Sequence, residues 1–315
     1  MTGKERGLAA LRGEPHDRPP VIPIVGQAGG TLCGRTIYEH AHDPQLLAEC
    51  QIECARRFGF DGIYIAADTW VNAEAIGFPS VEHPPDQPAG GRGTWIESIE
   101  HIESLELPDP LTSGRWPLMV EAVRIASEMV GDELLIIANF DQSPFSTACQ
   151  LRDISQFMLD VHDDDGLVHP LLDYCARAVS KYAIAMAEAG AHVLNTGDSS
   201  AGGSLIGGIH YERLAFPYEK KVFEEIKRHV EVPITLHICG DSRTCIEKMV
   251  QTGADAIEID EFMDVGIARQ HCRDDVTVIG NIDPIDPLLR GTPEEVKAKC
   301  IKCLEVRGSL QMMIM

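Results

Sequence analysis

Two kinds of hydrophobic pattern alternate along the chain. Short uninterrupted apolar runs are separated by longer stretches in which apolar positions recur every three or four residues. The runs are Val21–Val25, Gly62–Ala67, Leu134–Asn139, His192–Thr196, Ile234–Cys239, Ala256–Asp260, Val276–Gly280 and Leu310–Met315. Most are bounded by glycine, proline or acidic residues. A strand with one wet face would alternate apolar and polar positions, so continuous runs predict strands buried on both faces. Asp43–Phe58, Leu118–Val130, Leu167–Ala189, Tyr211–His229, Ser242–Thr252 and Pro293–Val306 carry helical periodicity. Strands separated by amphipathic helices predict a parallel sheet of the α/β class. Eight such units, with no G-x-G-x-x-G after the first run, predict a closed (β/α)8 TIM barrel rather than an open doubly wound sheet.

The interval from Trp70 to Asp132 is too long for one crossover and reads as a covering excursion after the second strand. No composition shift marks a linker, so residues 1–315 are expected to form one domain. Helix starts support the layout: Thr2-Gly-Lys-Glu5 has capping-box spacing, and Thr292-Pro293-Glu294-Glu295 combines a cap, a first-turn proline and dipole-compatible acids. Asp163-Asp164-Asp165 reads as an acidic helix start, since the alternating oxygen ligands of a calcium loop are missing.

A formal charge of −22, from 49 acidic against 27 basic residues, disfavours nucleic-acid and anionic-membrane partners. The polar N-terminus is not a signal peptide, and no apolar run approaches the length of about 18 residues that a membrane helix needs, so a cytoplasmic protein is expected. Ten cysteines scattered over a large chain read as reduced thiols rather than a disulfide framework. Cys300 and Cys303 fall in a helical pattern with no second pair, which favours packing.

Barrel chemistry gathers at the carboxyl ends of strands. Those ends carry Gln27, Asp68, Asn139 with Asp141, Asp198 with Ser199, His237 with Cys239, Glu258 with Asp260 and Glu261, and Asn281 with Asp283. The fifth run is the most specific. Two-residue spacing on a strand aims the His237 imidazole and Cys239 thiol in one direction, which makes half of a zinc site. The bland alternative is a hydrogen-bonded core histidine beside a small buried thiol. Each acid also has a plain alternative as the cap of the helix that follows it.

Several segments together resemble the uroporphyrinogen decarboxylase superfamily. These are Thr2 through Pro20 with Glu5-Arg6-x-Leu8-Ala9-Ala10-Leu11 and Asp17-Arg18, the Asp68 strand end with Glu74-Ala75-Ile76-Gly77, Gly197-Asp198, Phe216-Pro217-Tyr218, Thr252-Gly253-Ala254-Asp255 and Gly280-Asn281-Ile282-Asp283-Pro284. His237-Ile-Cys239-Gly240 is similar to the corrinoid-dependent branch, whose best known members are methylcobamide:coenzyme M methyltransferases. Decarboxylases carry arginines in the loop after the first strand to grip substrate carboxylates; this chain has Gly26-Gln27-Ala28-Gly29-Gly30 there.

The resemblance implies methyl transfer from a methylcobamide, carried by a small corrinoid-binding partner protein, to a thiol or tetrahydrofolate acceptor. Porphyrinogen decarboxylation is the alternative, and a barrel that binds a corrinoid protein without turnover is a third. The resemblance further implies zinc held by His237 and Cys239, with Asp68 and Asp198 as catalytic acids and Gln27, Asn139, Asn281 and Asp283 as substrate-binding groups. The family's third metal ligand is a cysteine just after the eighth strand, where this sequence ends; the alternatives are a longer chain, an acid such as Glu261 completing the coordination, or a member that does not use zinc.

Overall fold

The structure is a computed structural model and describes residues 1–163, 166–272, 275–305 and 312–313. Its main sheet comprises β1 (Gly62–Ile65), β4 (Leu135–Gln142), β5 (Val193–Gly197), β6 (Ile234–Ile238), β7 (Ala256–Ile259), β8 (Thr277–Ile279) and β9 (Met312–Met313) in that spatial order; β2 (Val81–Glu82) and β3 (Gly90–Gly91) pair separately. Every neighbour pair of the main sheet is parallel, whereas β2 and β3 are antiparallel. Helices such as Pro44–Phe58, Trp116–Val130, Val168–Glu188, Phe216–His229 and Pro293–Leu304 lie between the strands, giving the α/β TIM barrel.

Period-two alternation sorts the strand side chains. Ile63, Ile65, Ile136, Ala138, Leu194, Leu236 and Ile257 join the large core beneath the helices. Tyr64, Leu135, Ile137, Val193, Ala256 and Ile279 pack with Leu11 and Ile22 in a smaller cluster inside the barrel. Toward the carboxyl ends the inward series turns polar: the Tyr64 hydroxyl donates to Asn195 Oδ1 at 2.6 Å, and Asn195 Nδ2 donates to Thr235 Oγ1 at 2.7 Å and Glu258 Oε2 at 3.1 Å. The interior is therefore apolar at its base and polar at its mouth.

The expected first strand differs from the structure. Only Val21 forms a bridge, and Val21–Val25 is not a strand. Proline supplies the reason, because Pro19, Pro20 and Pro23 have no N–H to donate, and the Val25 N–H turns back to the Pro23 carbonyl. Asp61 holds this segment instead. It accepts from Arg6 Nη1 at 2.6 Å, from Arg18 Nη1 and Nη2 at 2.6 and 2.9 Å, and from the Val21 N–H at 2.8 Å. The helix Gly3–Leu11, with its Thr2 and Glu5 capping box, closes the base; Thr277 Oγ1 donates to the Ala10 carbonyl.

The excursion contains the helix Val71–Ile76, the β2–β3 hairpin, the helix Ile99–Ser104 and the helix Trp116–Val130. The helices Pro144–Arg152 and Ile154–Asp163 were not anticipated from the pattern. Thr292 and Glu295 form a capping box as expected, and Cys303 is buried on the helix Pro293–Leu304. Most of the last predicted run, and Asp164 and Asp165 of the acidic triplet, lie outside the described residues. No described helix is long and apolar enough to cross a membrane.

Candidate metal centre at the barrel mouth

His237 is the inward residue nearest the carboxyl end of β6, and Cys239 follows where the strand gives way to a turn. Their Nε2 and Sγ atoms are 3.3 Å apart. Asp260, just past β7, joins them: one ligand atom each from His237, Cys239 and Asp260 lie within 4.8 Å of one another. Among the described residues this is the group whose donors could share a metal ion.

Local bonding orients each donor. The Gly240 N–H donates to Asp260 Oδ2 at 2.7 Å, leaving Oδ1 buried without a partner. Glu258 Oε1 faces His237 Nδ1 at 3.5 Å, so that Nε2 points to the thiol. A carboxylate behind a ligating imidazole is the usual support for a metal-bound histidine. Burial opposes charge on His237, but Glu258 and then Cys239 overcome it and raise its pKa to about 9. Burial likewise opposes ionisation of Cys239, while His237 and the Ser199 hydroxyl outweigh it and lower the thiol pKa. Nitrogen, sulfur and carboxylate oxygen around an orphaned oxygen fit a three-ligand zinc site with one position open.

The other anticipated residues separate into distinct roles. Asp68 and Asn139 line a cavity of about 250 Å³ at the mouth together with Tyr64, Asp141, Gln142, Asn195, Ser199, His237 and Glu258. Asp68 is not free there. Arg115 binds it bidentately, Nη1 to Oδ2 at 2.6 Å and Nη2 to Oδ1 at 3.0 Å, while Arg115 Nε holds Glu74 at 2.7 Å. Asn139 Nδ2 donates to Asn195 Oδ1 at 2.8 Å.

Asp198 is fully buried and does not line that cavity. It accepts from the Ser146 N–H at 2.7 Å and Ser146 Oγ at 2.6 Å, and is hydrogen-bonded to the equally buried Glu219, whose other partner is the Tyr211 hydroxyl. Burial raises the pKa of both carboxyls, which keeps a proton on the pair. Asp198 thus fastens the helix Pro144–Arg152 to the loop that presents Ser199.

Gln27 donates to the Ala67 carbonyl at 3.0 Å, and Asn281 donates to the Asp260 and Met263 carbonyls, steadying the loop that bears Asp260. Asp283 turns away to cap Ile285 and Asp286. Glu261 stands outside the three-donor group; the adjacent Asp260 raises its pKa, and it lines a neighbouring cavity with Asn281, Lys299 and Lys302.

Glu258 and Asp260 are among the strand-end groups noted from the sequence, though without a metal role; Arg115 comes from the excursion, and nothing in its local sequence marks it.

A family profile described as uroporphyrinogen decarboxylase (URO-D) matches residues 2–314. The chain is 31% identical over 307 residues to the methylcobamide:CoM methyltransferase MtbA of Methanosarcina mazei, covering 96% of this chain and 89% of that one. The Methanosarcina acetivorans protein of the same name is 32% identical, with 97% and 89% covered. A uroporphyrinogen decarboxylase of Synechococcus sp. is 29% identical, with 97% and 89% covered. Among solved structures, a methyltransferase from Methanosarcina mazei superposes with a TM-score of 0.89 over 100% of this chain and 92% of that one, at 24% identity.

Proposed function

The chain belongs to the uroporphyrinogen decarboxylase family, and within it we propose a corrinoid-dependent methyltransferase that moves a methyl group from a methylcobamide, borne by a small corrinoid-binding protein, to a thiol or tetrahydrofolate acceptor. The observation that carries this reading is the convergence of His237, Cys239 and Asp260 at the mouth. Those three residues would hold zinc, whose Lewis acidity lowers the pKa of a thiol so that it can act as a nucleophile at neutral pH.

The chain's own groups prepare the site. Glu258 backs the imidazole at 3.5 Å, Ser199 donates to the Cys239 sulfur, and the Gly240 N–H sets the Asp260 carboxylate. The mouth cavity of about 250 Å³ has room for a small thiol or for the ring end of a larger acceptor, and its polar lining would orient either. Asp68, neutralised by Arg115, and Asp198, enclosed with Glu219, act in this reading as positioning residues. The same Arg115 clamp weighs against porphyrinogen decarboxylation, which would need Asp68 open to a developing pyrrole cation.

Elemental analysis combined with methylcobalamin demethylation tests the proposal. One zinc per chain and thiol-dependent loss of methylcobalamin, both abolished by Cys239→Ala, are expected. A metal-free protein inactive with thiols but methylating tetrahydrofolate would remove zinc and keep methyl transfer. Inactivity with every acceptor, or coproporphyrinogen formed from uroporphyrinogen, would overturn the reading.

A further inference from the structure

Asp141 is the one carboxyl of the mouth cavity left without an ionic partner among the described residues. Arg115 is committed to Asp68 and Glu74, and His237 faces Glu258. Asp141 is 3% exposed; its Oδ2 accepts from the Asn72 N–H at 2.8 Å, and its Oδ1 is buried with no partner at all. Gln142 Oε1, the next residue's carbonyl oxygen, is buried and unpartnered too. Both residues line the mouth cavity.

Consecutive residues of a regular strand point to opposite faces, so their joint presence in one cavity needs an explanation. The β4–β5 register shifts between Asn139 and Gln142, and Asp141 adopts φ +66°. That bulge re-aims both side chains to the same side. A left-handed conformation at a residue other than glycine, and two buried acceptors without donors, are each destabilising. Such a cost is commonly kept where a ligand completes the arrangement.

We infer that Asp141 and Gln142 form the subsite that reads the methyl acceptor, and that the acceptor presents nitrogen with at least two N–H donors there: a protonated amine or an aminopyrimidine edge, not an anionic sulfonate. This inference rests on the methyltransferase reading and specifies its substrate class. The groups around the subsite set the same sign. Arg115 offsets Asp68 beside Asp141, Glu258 adds negative potential across the cavity, and the ring hydroxyls of Tyr64 and Tyr182 bring no cation. Burial, followed by Asp68, raises the Asp141 pKa to about 8 against the opposing Asn72 N–H and Arg115. A cationic or N–H-rich ligand supplies the missing partner, whereas a sulfonate meets acidic groups.

Three thiols that differ only at the far end separate the possibilities: cysteamine, 2-mercaptoethanol and 2-mercaptoethanesulfonate. Zinc-loaded protein titrated by calorimetry is expected to bind cysteamine about tenfold or more tighter than 2-mercaptoethanol, the scale of one charge-assisted hydrogen bond, and the sulfonate most weakly. Asp141→Asn, which tolerates the left-handed backbone, should remove that preference and leave 2-mercaptoethanol binding unchanged. Tetrahydrofolate is the second arm. If the aminopyrimidine source is the right one, the folate binds, cysteamine shows no advantage, and Asp141→Asn weakens the folate alone. Tightest binding of the sulfonate, undiminished affinity of the Asp141→Asn variant for whichever nitrogen ligand the wild type prefers, or no binding of either nitrogen ligand would overturn the inference. Selective binding through Asp141 without any methylcobalamin turnover would instead remove the methyltransferase reading while leaving the subsite in place.

Discussion

Replacing Arg115 by methionine tests how the mouth is braced. The Arg115 and Asp68 side chains are 5% and 2% exposed, and two hydrogen bonds of 2.6 and 3.0 Å join them. At that depth, unit charges about 4 Å apart attract by ~4 kcal/mol for an effective dielectric near 20. Removing one member of such a pair typically costs about 3–5 kcal/mol, mostly because the other charge stays buried and unpaired. Glu74, with a side chain 21% exposed, can rehydrate and adds little.

Arg115→Met should therefore lose about 3–5 kcal/mol, and the double variant Arg115→Met/Asp68→Asn should regain about 2 kcal/mol of it, because no orphan charge remains. Urea unfolding of the wild type, both single variants and the double variant, compared by midpoint at a common m-value, measures this coupling. Additivity within about 0.5 kcal/mol would refute the claim that Asp68 is held by charge pairing.

Two further outcomes are expected. A Cβ built on Gly202 falls 2.6 Å from the Cys239 carbonyl oxygen although the backbone there, at φ −61°, accepts alanine; Gly202→Ala should weaken zinc binding about tenfold in a chelator competition with the circular dichroism unchanged. Unaltered affinity would show that this loop does not brace the thiol. His40 is fully buried and burial lowers its pKa from 6.5 to about 4. The unfolded chain then binds a proton that the folded one refuses, so this contribution is intact above about pH 6.5 and falls by up to ~3 kcal/mol as the pH drops toward 4. His40→Gln should flatten that part of the stability curve, and parallel losses in both proteins would rule out a neutral buried His40.

The sheet was legible where a strand is buried on both faces, since Gly62–Ile65, Leu135–Gln142 and Ile234–Ile238 lie within or overlap uninterrupted apolar runs. The same criterion misread Val21–Val25, because hydrophobicity does not register that proline cannot join a ladder. His237 and Cys239 were legible because two-residue spacing is conserved by any strand. Asp260 was visible as a strand end, but its alignment with them depends on the β6–β7 register, which pairs His237 with Glu258. The enclosure of Asp198 was not legible, for it requires Glu219 and Tyr211 to return from a π-helical segment and the helix after it. The backbone turn at Asp141 has no signature either, because aspartate occupies strands, caps and left-handed positions alike.

The helix Gly3–Leu11 has a consequence for the order of assembly. Through Arg6 it engages Asp61, 55 positions later, as soon as the first strand has been made. Its carbonyl at Ala10 must then wait for Thr277, 267 positions away, and the helix also meets the strand Met312–Met313. One short amphipathic segment therefore joins parts of the chain 55 and 267 positions away. Contacts of such separation are slow to form. Arg6→Met, which detaches this helix from Asp61, is therefore expected to slow refolding from urea more than it speeds unfolding.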